Sequence, residues 1–485
     1  MLDVHAKRGC GRREFIAAAG LGAAGAFASD GAKAVGTPAS AAACCSVDVC
    51  VLGGSCTGVF AAVRAAQRGC SVALVENEGF FGGTAVGGLV PVWHSLYDTT
   101  GSRQIIFGLT DEIEKLLVSR GAAVMKDPAN PSVGACLNVQ ELSLALDELV
   151  ARHGKIRPFL HARVTGALRA SDGRVTDAII EDKSGRRLIR AKFFIDCTGD
   201  ADFAVQAGFS TWKPPRELLQ AHTTCALLSG LDKIAERHPD FALGKIIRPG
   251  GGADLRHCFW WQSEVVGSPS LRFVAGTRVS ACDPSDADDL TRGELEGRAQ
   301  LRRIVEAVNR RWPMPAGAPR AAIAAIAPSM GIRESRHIEA LYRVTRQDVL
   351  SGRRYDDVIA RGSYRIDIHE GAGITFCYLD GRRDRMVQTA NGDVTWEHDR
   401  WCDPDTPSAT WYEVPYRSIV PKGSVNVLCA GRMLDCTRDA YGALRVMVNC
   451  NQMGEAAGAA AARAVKENLP AADAYAGMGD AEVRS

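Results

Sequence analysis

The 485-residue sequence contains no Cys-x-x-Cys pair and no Cys-x-x-Cys-His, so a dithiol redox centre, haem attachment and ferredoxin-type clusters have nothing to build on. No metal site is read from it either. Net charge is small, 58 Lys and Arg against 56 Asp and Glu, which leaves +2. No global field then draws the chain to nucleic acid or anionic lipid. Long apolar runs are missing as well: the one ending at Ala28 is about fourteen residues, short of the roughly twenty that a spanning helix needs. What is plentiful is glycine, 50 residues against 20 prolines, which suits close backbone approaches at a nucleotide better than it suits linkers. With 46% hydrophobic and 24% charged residues the chain can bury a full core, and its length suggests two or three folding units. The 16 cysteines, among them Cys50, Cys70, Cys197, Cys225 and Cys429, lie mostly in apolar runs and read as small buried hydrophobes.

Lys7, Arg8 and the pair Arg12-Arg13 precede Glu14-Phe15-Ile16 and the Gly/Ala-rich apolar run. This segment resembles a twin-arginine export signal, with Ala26-Phe27-Ala28 as its small-residue cleavage site. A retained N-terminal helix is the alternative, and Ala43-Cys44 offers a lipoprotein cleavage point lacking the usual Leu at Ala41. Twin-arginine export carries folded proteins, so the leader implies a cofactor acquired before export, the export machinery as a partner and a periplasmic or otherwise exported destination.

The mature chain opens on Val47 to Leu52, a β-rich apolar run, followed by Gly53-Gly54-Ser55-Cys56-Thr57-Gly58. A helical stretch with Ala61, Ala62, Ala65 and Ala66 on one face comes next, then a strand from Ser71 to Val75 ending at Glu76. This order is the βαβ dinucleotide unit: Gly53 makes the turn, Gly58 lets helix and strand approach, and the helix N-terminus faces a pyrophosphate. Ser55 stands at the usual second-glycine position. Glu76 would accept hydrogen bonds from the adenosine ribose. A second glycine-rich loop, Gly79 to Leu89 with Gly82, Gly83, Thr84 and Gly88, has no use in a unit for NAD alone; flavoproteins of the glutathione-reductase-like superfamily carry one for the longer FAD.

From Gly53 to Leu89 the sequence resembles a bacterial FAD-dependent oxidoreductase family with a Gly-Gly-x-x-Ala-Gly turn, an acid, and Gly-Gly-Thr-Ala-x-Gly-Gly-Leu. The likeness runs in order over residues 46 to 466. Phe193 to Asp202 resembles the strand and Thr-Gly turn that close the nucleotide subdomain, which assigns Thr198, Gly199 and Asp200 to the cofactor. Gly431 and Arg432 are implied beside the ribityl and pyrophosphate. The N-terminus of the last helix, with Gln452, Met453 and Gly454, is implied at the flavin pyrimidine edge, where a helix dipole stabilises developing negative charge. No second glycine fingerprint follows a strand, Gly250-Gly251-Gly252 reading as a loop, so no dedicated NAD(P)H domain is expected.

The predicted fold is α/β: a glutathione-reductase-type FAD-binding Rossmann domain interrupted by an α+β substrate domain. Its boundaries are a signal at 1–28, a tether at 29–45, FAD-binding parts at 46–205 and 412–470, a substrate domain at 206–411 and a tail at 471–485. Asn138 to His153 reads as an amphipathic helix, Phe159 to Ala191 as a meander turning at Asp172-Gly173 and Ser184-Gly185, and Asp289 to Asn309 as a helix. In the middle segment, Arg333 and Arg336 stand three apart, on one helical or turn face, as a clamp for a carboxylate or the flavin. Asp367 and His369 point to one side of a strand, where the carboxylate orients the imidazole for proton removal during hydride transfer to flavin N5. A structural, hydrogen-bonded histidine is the alternative. His94 follows the second glycine loop and would lie near the flavin ring, where covalent attachment is conceivable. Trp260, Trp261, Trp401 and Trp411 read as core. The function expected is a dehydrogenase or oxidase of a small organic molecule, reoxidised by a quinone, an electron carrier or O2. A flavin monooxygenase, or a non-catalytic FAD-binding accessory subunit, is the competing reading.

Overall fold

In the computed structural model residues 43–127, 134–247, 261–370, 373–388 and 394–479 are described; the leader, most of the tether, the Gly250–Gly252 loop and Trp260 lie outside them. The first apolar run is strand β1 (Ala43–Leu52), followed by helix α1 (Cys56–Gln67) and β2 (Val72–Val75). β1 begins earlier than expected, so Ala43, Cys44 and Cys45 are strand rather than tether, because they pair along the strand that carries Leu188 and Ile189. Alternation along β1 divides the core: Val49 and Val51 join one apolar cluster, Cys50 and Leu52 another.

Helix α2 (Val139–Ala151) is capped by Asn138, whose side chain accepts from the Gln140 and Glu141 N–H groups. Strand β3 (Ile156–Phe159) follows and pairs in parallel with β2. The meander comes next, as β4 (Arg163–Arg169), β5 (Val175–Asp182) and β6 (Gly185–Asp196). It turns at Gly173 and Gly185, whose φ values of +86° and +94° favour glycine. β6 is long enough to serve two partners. Its first half pairs antiparallel with β5, while its length from Leu188 to Asp196 runs parallel to β1.

Between the two nucleotide segments, strands Ala226–Ser229, Trp261–Val265, Ser268–Ala275 and Ala322–Ile326 form an antiparallel sheet. Helix α3 (Ala287–Arg311) lies against it through Leu301, Ile304 and Val308, which cluster with Ala226, Leu228 and Val274. Strand β7 (Val358–Gly362) pairs with Tyr412–Pro415, and β8 (Ile366–Glu370) opens a second antiparallel sheet. The segment from Met330 to Ile338 has no regular structure apart from an isolated bridge at Gly331 and a short strand at His337–Ile338. It is not helical, and this separates Arg333 from Arg336.

Strand β9 (Val427–Cys429) returns to pair in parallel with the end of β6. Helices α4 (Arg438–Leu444) and α5 (Met447–Glu467) complete the fold. The architecture is thus the expected α/β one, a mixed sheet whose parallel strands β3, β2, β1, β6 and β9 carry the nucleotide unit. The largest apolar cluster joins Val49, Phe60 and Ile195 to Val344, Ile366, Tyr412 and Leu444, so β7 and β8 are anchored directly on the nucleotide-binding layer. Among the described residues every cysteine is a free thiol, most of them buried, and no helix is long and apolar enough to cross a membrane.

Candidate active site

Gly53 follows β1 directly with φ +101°, and its N–H donates to Val75 O at 2.7 Å. A Cβ at Gly53 would lie 2.3 Å from Cys197 O, and one at Gly58 would lie 1.8 Å from Gly53 O. Only hydrogen fits at either position. Ser55 caps α1, its Oγ accepting from the Gly58 N–H at 3.4 Å; Thr57 follows in the first turn, where amides have no intrahelical partner. Glu76 is buried at the end of β2, with Oε2 accepting from Gly54 N–H at 2.6 Å and Oε1 from Glu78 N–H at 2.8 Å. Burial pushes this carboxyl above its ordinary value, and the N–H groups oppose the shift. Each oxygen keeps a lone pair for a further donor. The second glycine loop docks on the first: Gly82 N–H donates to Gly54 O at 2.9 Å, and Gly82 and Gly83 take φ +117° and +51°. Gly88 N–H donates to Thr84 O at 3.1 Å, closing the loop.

At the end of β6 the buried Asp196 accepts from Thr198 N–H at 2.9 Å, Thr198 Oγ1–H at 2.7 Å and Ala204 N–H at 2.9 Å. Burial lifts its carboxyl to about 6. Gly199 has φ +87°, and a Cβ there would meet Arg432 Nη1 at 2.7 Å. Arg432 Nη2 donates to Asp200 Oδ1 at 2.6 Å, the Ser335 hydroxyl bonds the same carboxylate, and Arg432 Nε is buried with no partner. Gly431, beside it, has φ +124°.

Helix α5 starts at Met447, ahead of Gln452, Met453 and Gly454, where its N-terminus is expected. Gln452, Met453 and Gly454 therefore sit in its second turn, away from the free amides. The Gln452 amide is committed to β7, accepting from Arg361 N–H at 3.1 Å and donating to Arg361 O at 2.9 Å. Met453 is fully buried, and a Cβ at Gly454 would lie 2.1 Å from Thr57 O. These residues lock α5 onto β7 and α1.

A second constellation is built on β8. Asp367 and His369 share one side of the strand, with His369 Nε2 3.2 Å from Asp367 Oδ1. Tyr364 O–H donates to Asp367 Oδ2 at 2.8 Å, and Arg445 Nη2 stands 3.5 Å from the same oxygen. Arg278 Nη2 lies 2.7 Å from His369 Nδ1. A guanidinium can only donate, so Nδ1 is an acceptor and the ring proton sits on Nε2, facing Asp367. Burial lowers His369 to about 3, against the raising effect of Asp367, with Arg333 and Arg278 adding to the fall. Burial works against the charge of Asp367 too, but His369, Arg445 and Arg365 hold its carboxyl well below the usual range. His94 is nearby, its ring 4.0 Å from that of Tyr364 between centroids; burial, then Arg365 and Arg445, lower it to about 3.

A model of the FAD dependent oxidoreductase family matches residues 48–475. The chain belongs to this family. It is an FAD-dependent enzyme. A search of curated protein sequences returned no match. Solved structures similar to this oxidoreductase include a geranylgeranyl bacteriochlorophyll reductase-like protein from Thermoplasma acidophilum, 14% identical, covering 87% of this chain and 79% of that one at a TM-score of 0.42. The myxobacterial chondrochloren halogenase CndH is 12% identical over 89% and 77%, with a TM-score of 0.44. The p-nitrophenol 4-monooxygenase PnpA from Pseudomonas putida DLL-E4 is 13% identical over 89% and 83%, with a TM-score of 0.39.

The residues of the oxidoreductase fit FAD. Glu76 is fixed by two backbone N–H groups with acceptor capacity left, and the α1 N-terminus faces the glycine turn that a pyrophosphate requires. Arg432 keeps a buried Nε unused beside the Gly199 turn. A Glu76→Gln variant keeps the shape of the acid and loses its charge and one acceptor. FAD affinity is expected to fall about tenfold, or about 1.4 kcal/mol, in a flavin fluorescence titration.

Of the four expected catalytic residues of the oxidoreductase, the fold brings Asp367, His369 and Arg333 together and leaves Arg336 out. Arg333 Nη1 donates to Thr223 Oγ1 at 2.7 Å, on the segment whose Gln220 accepts from His369 N–H at 3.4 Å. Arg336 instead pairs with Asp202 Oδ1 at 2.9 Å and donates to Ser285 O at 3.0 Å. The chain is not helical there, so residues three apart do not share a helical face. Arg103 and Arg354 both lie over the ring of Trp411, at 4.6 and 3.9 Å from its centre. Sequence reading missed Arg278, Gln220 and Arg445. No local pattern ties any of the three to His369.

Proposed function

We propose that this FAD-dependent oxidoreductase exchanges a hydride between a small organic substrate and flavin N5, with the substrate held against Asp367, His369, Tyr364 and Arg333. The supporting observation is the buried Asp367–His369 pair at 3.2 Å, with the imidazole neutral and its tautomer fixed. FAD, when bound, supplies the two-electron acceptor or donor. Tyr364 keeps its proton, since burial, followed by the charge of Asp367, raises its phenol. In the observed arrangement Arg278 occupies the Nδ1 lone pair of His369. When Arg278 turns to a bound substrate, Nδ1 is left to take a hydroxyl or amine proton, and Asp367 stabilises the imidazolium formed. Residues 206–411 supply most of these groups and serve as the substrate part. The Arg12-Arg13 leader supports export of the folded, FAD-loaded protein, and a quinone, an electron carrier or O2 reoxidises it.

The test is anaerobic addition of alcohols, sugars, amines and acids to the FAD-loaded protein. One class should bleach the flavin, and His369→Ala should slow the bleaching at least a hundredfold, in line with loss of general-base catalysis. Consumption of O2 together with NAD(P)H would replace this reading with a monooxygenase. Bound FAD that no biological reductant reduces would replace it with an accessory role. Export is checked separately: Arg12→Lys with Arg13→Lys should retain the protein in the cytoplasm.

Folding is linked to the same histidine. Its folded value of about 3 lies below the unfolded one of about 6.5, so between them only the unfolded chain holds the proton. The stability contributed is complete above the unfolded value and is lost as pH falls towards 3. In His369→Asn the pH slope of unfolding free energy should flatten by about 1.4 kcal/mol per pH unit between about pH 6 and 4. Urea melts across that range measure it.

A further inference from the structure

The second constellation carries more positive charge than its own function as a proton relay needs. Arg333 engages only through Nη1 and its backbone: Nη1 donates to Ala221 O and Thr223 Oγ1, and its N–H donates to His222 Nδ1 at 3.2 Å. Among the described residues no carboxylate pairs with it, and the rest of its guanidinium makes no hydrogen bond. Arg445 engages only through Nη2, at 3.3 Å from Asp367 O and 3.5 Å from Asp367 Oδ2, and its Nε is buried without a partner.

These two groups are fixed next to each other by short connections. Tyr441 O–H donates to Arg333 O at 2.6 Å, and Arg445 caps the same helix α4 one turn later, its N–H on Tyr441 O. Burial, followed by the charges of Arg445 and Arg278, pulls Arg333 down to about 9. Gln220 is fully buried: its Oε1 takes the His369 N–H, while its Nε2 has no partner. The neighbouring histidines do not add to the charge. His222 is held neutral, at about 4, by burial against the opposing Cys282 carbonyl, and His94 and His369 sit at about 3. Asp367 is thus the one described carboxylate against Arg333 and Arg445. Two part-buried guanidiniums with unused donors and a buried amide N–H₂ without an acceptor are costly unless an anion completes them. Guanidinium forks match a planar carboxylate, which accepts two parallel N–H bonds.

We infer that the substrate of this enzyme is an organic carboxylate, bound through its carboxylate group by Arg333 and Arg445 with the Gln220 amide beside His369. The inference rests on the hydride-transfer reading above for the word substrate, but the anion site itself does not. The carboxylate and the reacting C–H then lie on one molecule, with its hydroxyl or amine towards His369 Nδ1. The FAD pyrophosphate is the other anion available, and the test separates the two.

Calorimetric titration of the purified full chain with lactate, malate and succinate is compared with titration by 1,2-propanediol, in the wild type, Arg333→Gln, Arg333→Lys and Arg445→Gln. The flavin content of each protein is read from its absorbance. At least one acid should bind at least tenfold more tightly than the diol. Arg333→Gln and Arg445→Gln should each weaken that acid tenfold or more with flavin content unchanged, and Arg333→Lys should fall between. Equal binding of acid and diol, or binding that survives both Gln variants, overturns the inference while leaving the flavoenzyme intact. Loss of FAD in the Gln variants with acid binding unchanged overturns it in favour of the pyrophosphate. Acid binding that depends on Arg333 in a wild-type protein holding no FAD supports the anion site and sinks the hydride-transfer reading instead.

Discussion

A Gly58→Val variant is expected to purify without FAD, and to melt far below the wild type if it folds at all. The reason is the space around α1. A Cβ at Gly58 would lie 1.8 Å from Gly53 O, a backbone atom that cannot rotate aside. The helix cannot retreat from the turn either, because α5 presses on its other side: Cβ atoms at Gly454 and Gly458 would each lie 2.1 Å from the carbonyls of Thr57 and Ala61. Relief then requires the glycine turn to open, which separates the α1 N-terminus from Glu76 and from the Gly82 loop. A cost above about 4 kcal/mol is expected, in the range of severe overpacking and lost backbone geometry. The ratio of flavin to protein absorbance and a thermal melt check it. Gly154→Ala is the control, since a Cβ there meets nothing within 4 Å. Full FAD content in Gly58→Val would refute the assignment of this turn as the pyrophosphate cradle.

Asp367→Asn should be the most damaging change at the second constellation. It keeps the size of the side chain and an acceptor for Tyr364, but removes the charge that faces Arg445 at 3.5 Å and His369 at 3.2 Å. An uncompensated buried cation costs about 3–5 kcal/mol when its partner is removed. Exposed pairs cost far less: Asp357→Asn, which releases Arg417 on the surface, should change stability by under about 1 kcal/mol. Denaturant melts of the two variants at neutral pH give the comparison. Asp367→Asn should also abolish substrate-dependent flavin bleaching, because the imidazolium of His369 loses its counter-charge. Equal melts for the two variants would mean that the cluster is solvated rather than buried.

Much of the nucleotide unit was legible because its signals are local. The β1 run, the Gly53–Gly58 turn, the small face of α1 and Glu76 follow one another within a few turns of chain, and the strand and helix periods place them unaided. The meander hairpins at Gly173 and Gly185 were readable for the same reason. Helix ends were less so. α5 begins at Met447, ahead of Gln452 to Gly454, and no side-chain cap at Val446 marks that start in the sequence, while the partners of Gln452 and Gly454, Arg361 and Thr57, are distant in the chain. The arginine pair failed by conformation: the non-helical chain at Met330–Ile338 sends Arg333 to Thr223 and Arg336 to Asp202.

The sequence by itself determined the glycine-rich cradle, the acid at Glu76 and the Asp-x-His strand, because turn geometry and alternation act over a handful of residues. Tertiary structure alone decided what His369 faces. Arg278, 91 residues before it, fixes its tautomer, while Arg445, 78 residues after Asp367, holds the carboxylate from the C-terminal end of helix α4. Charges act through space in a buried, low-dielectric site, and the chain reveals which of them meet only when it is folded.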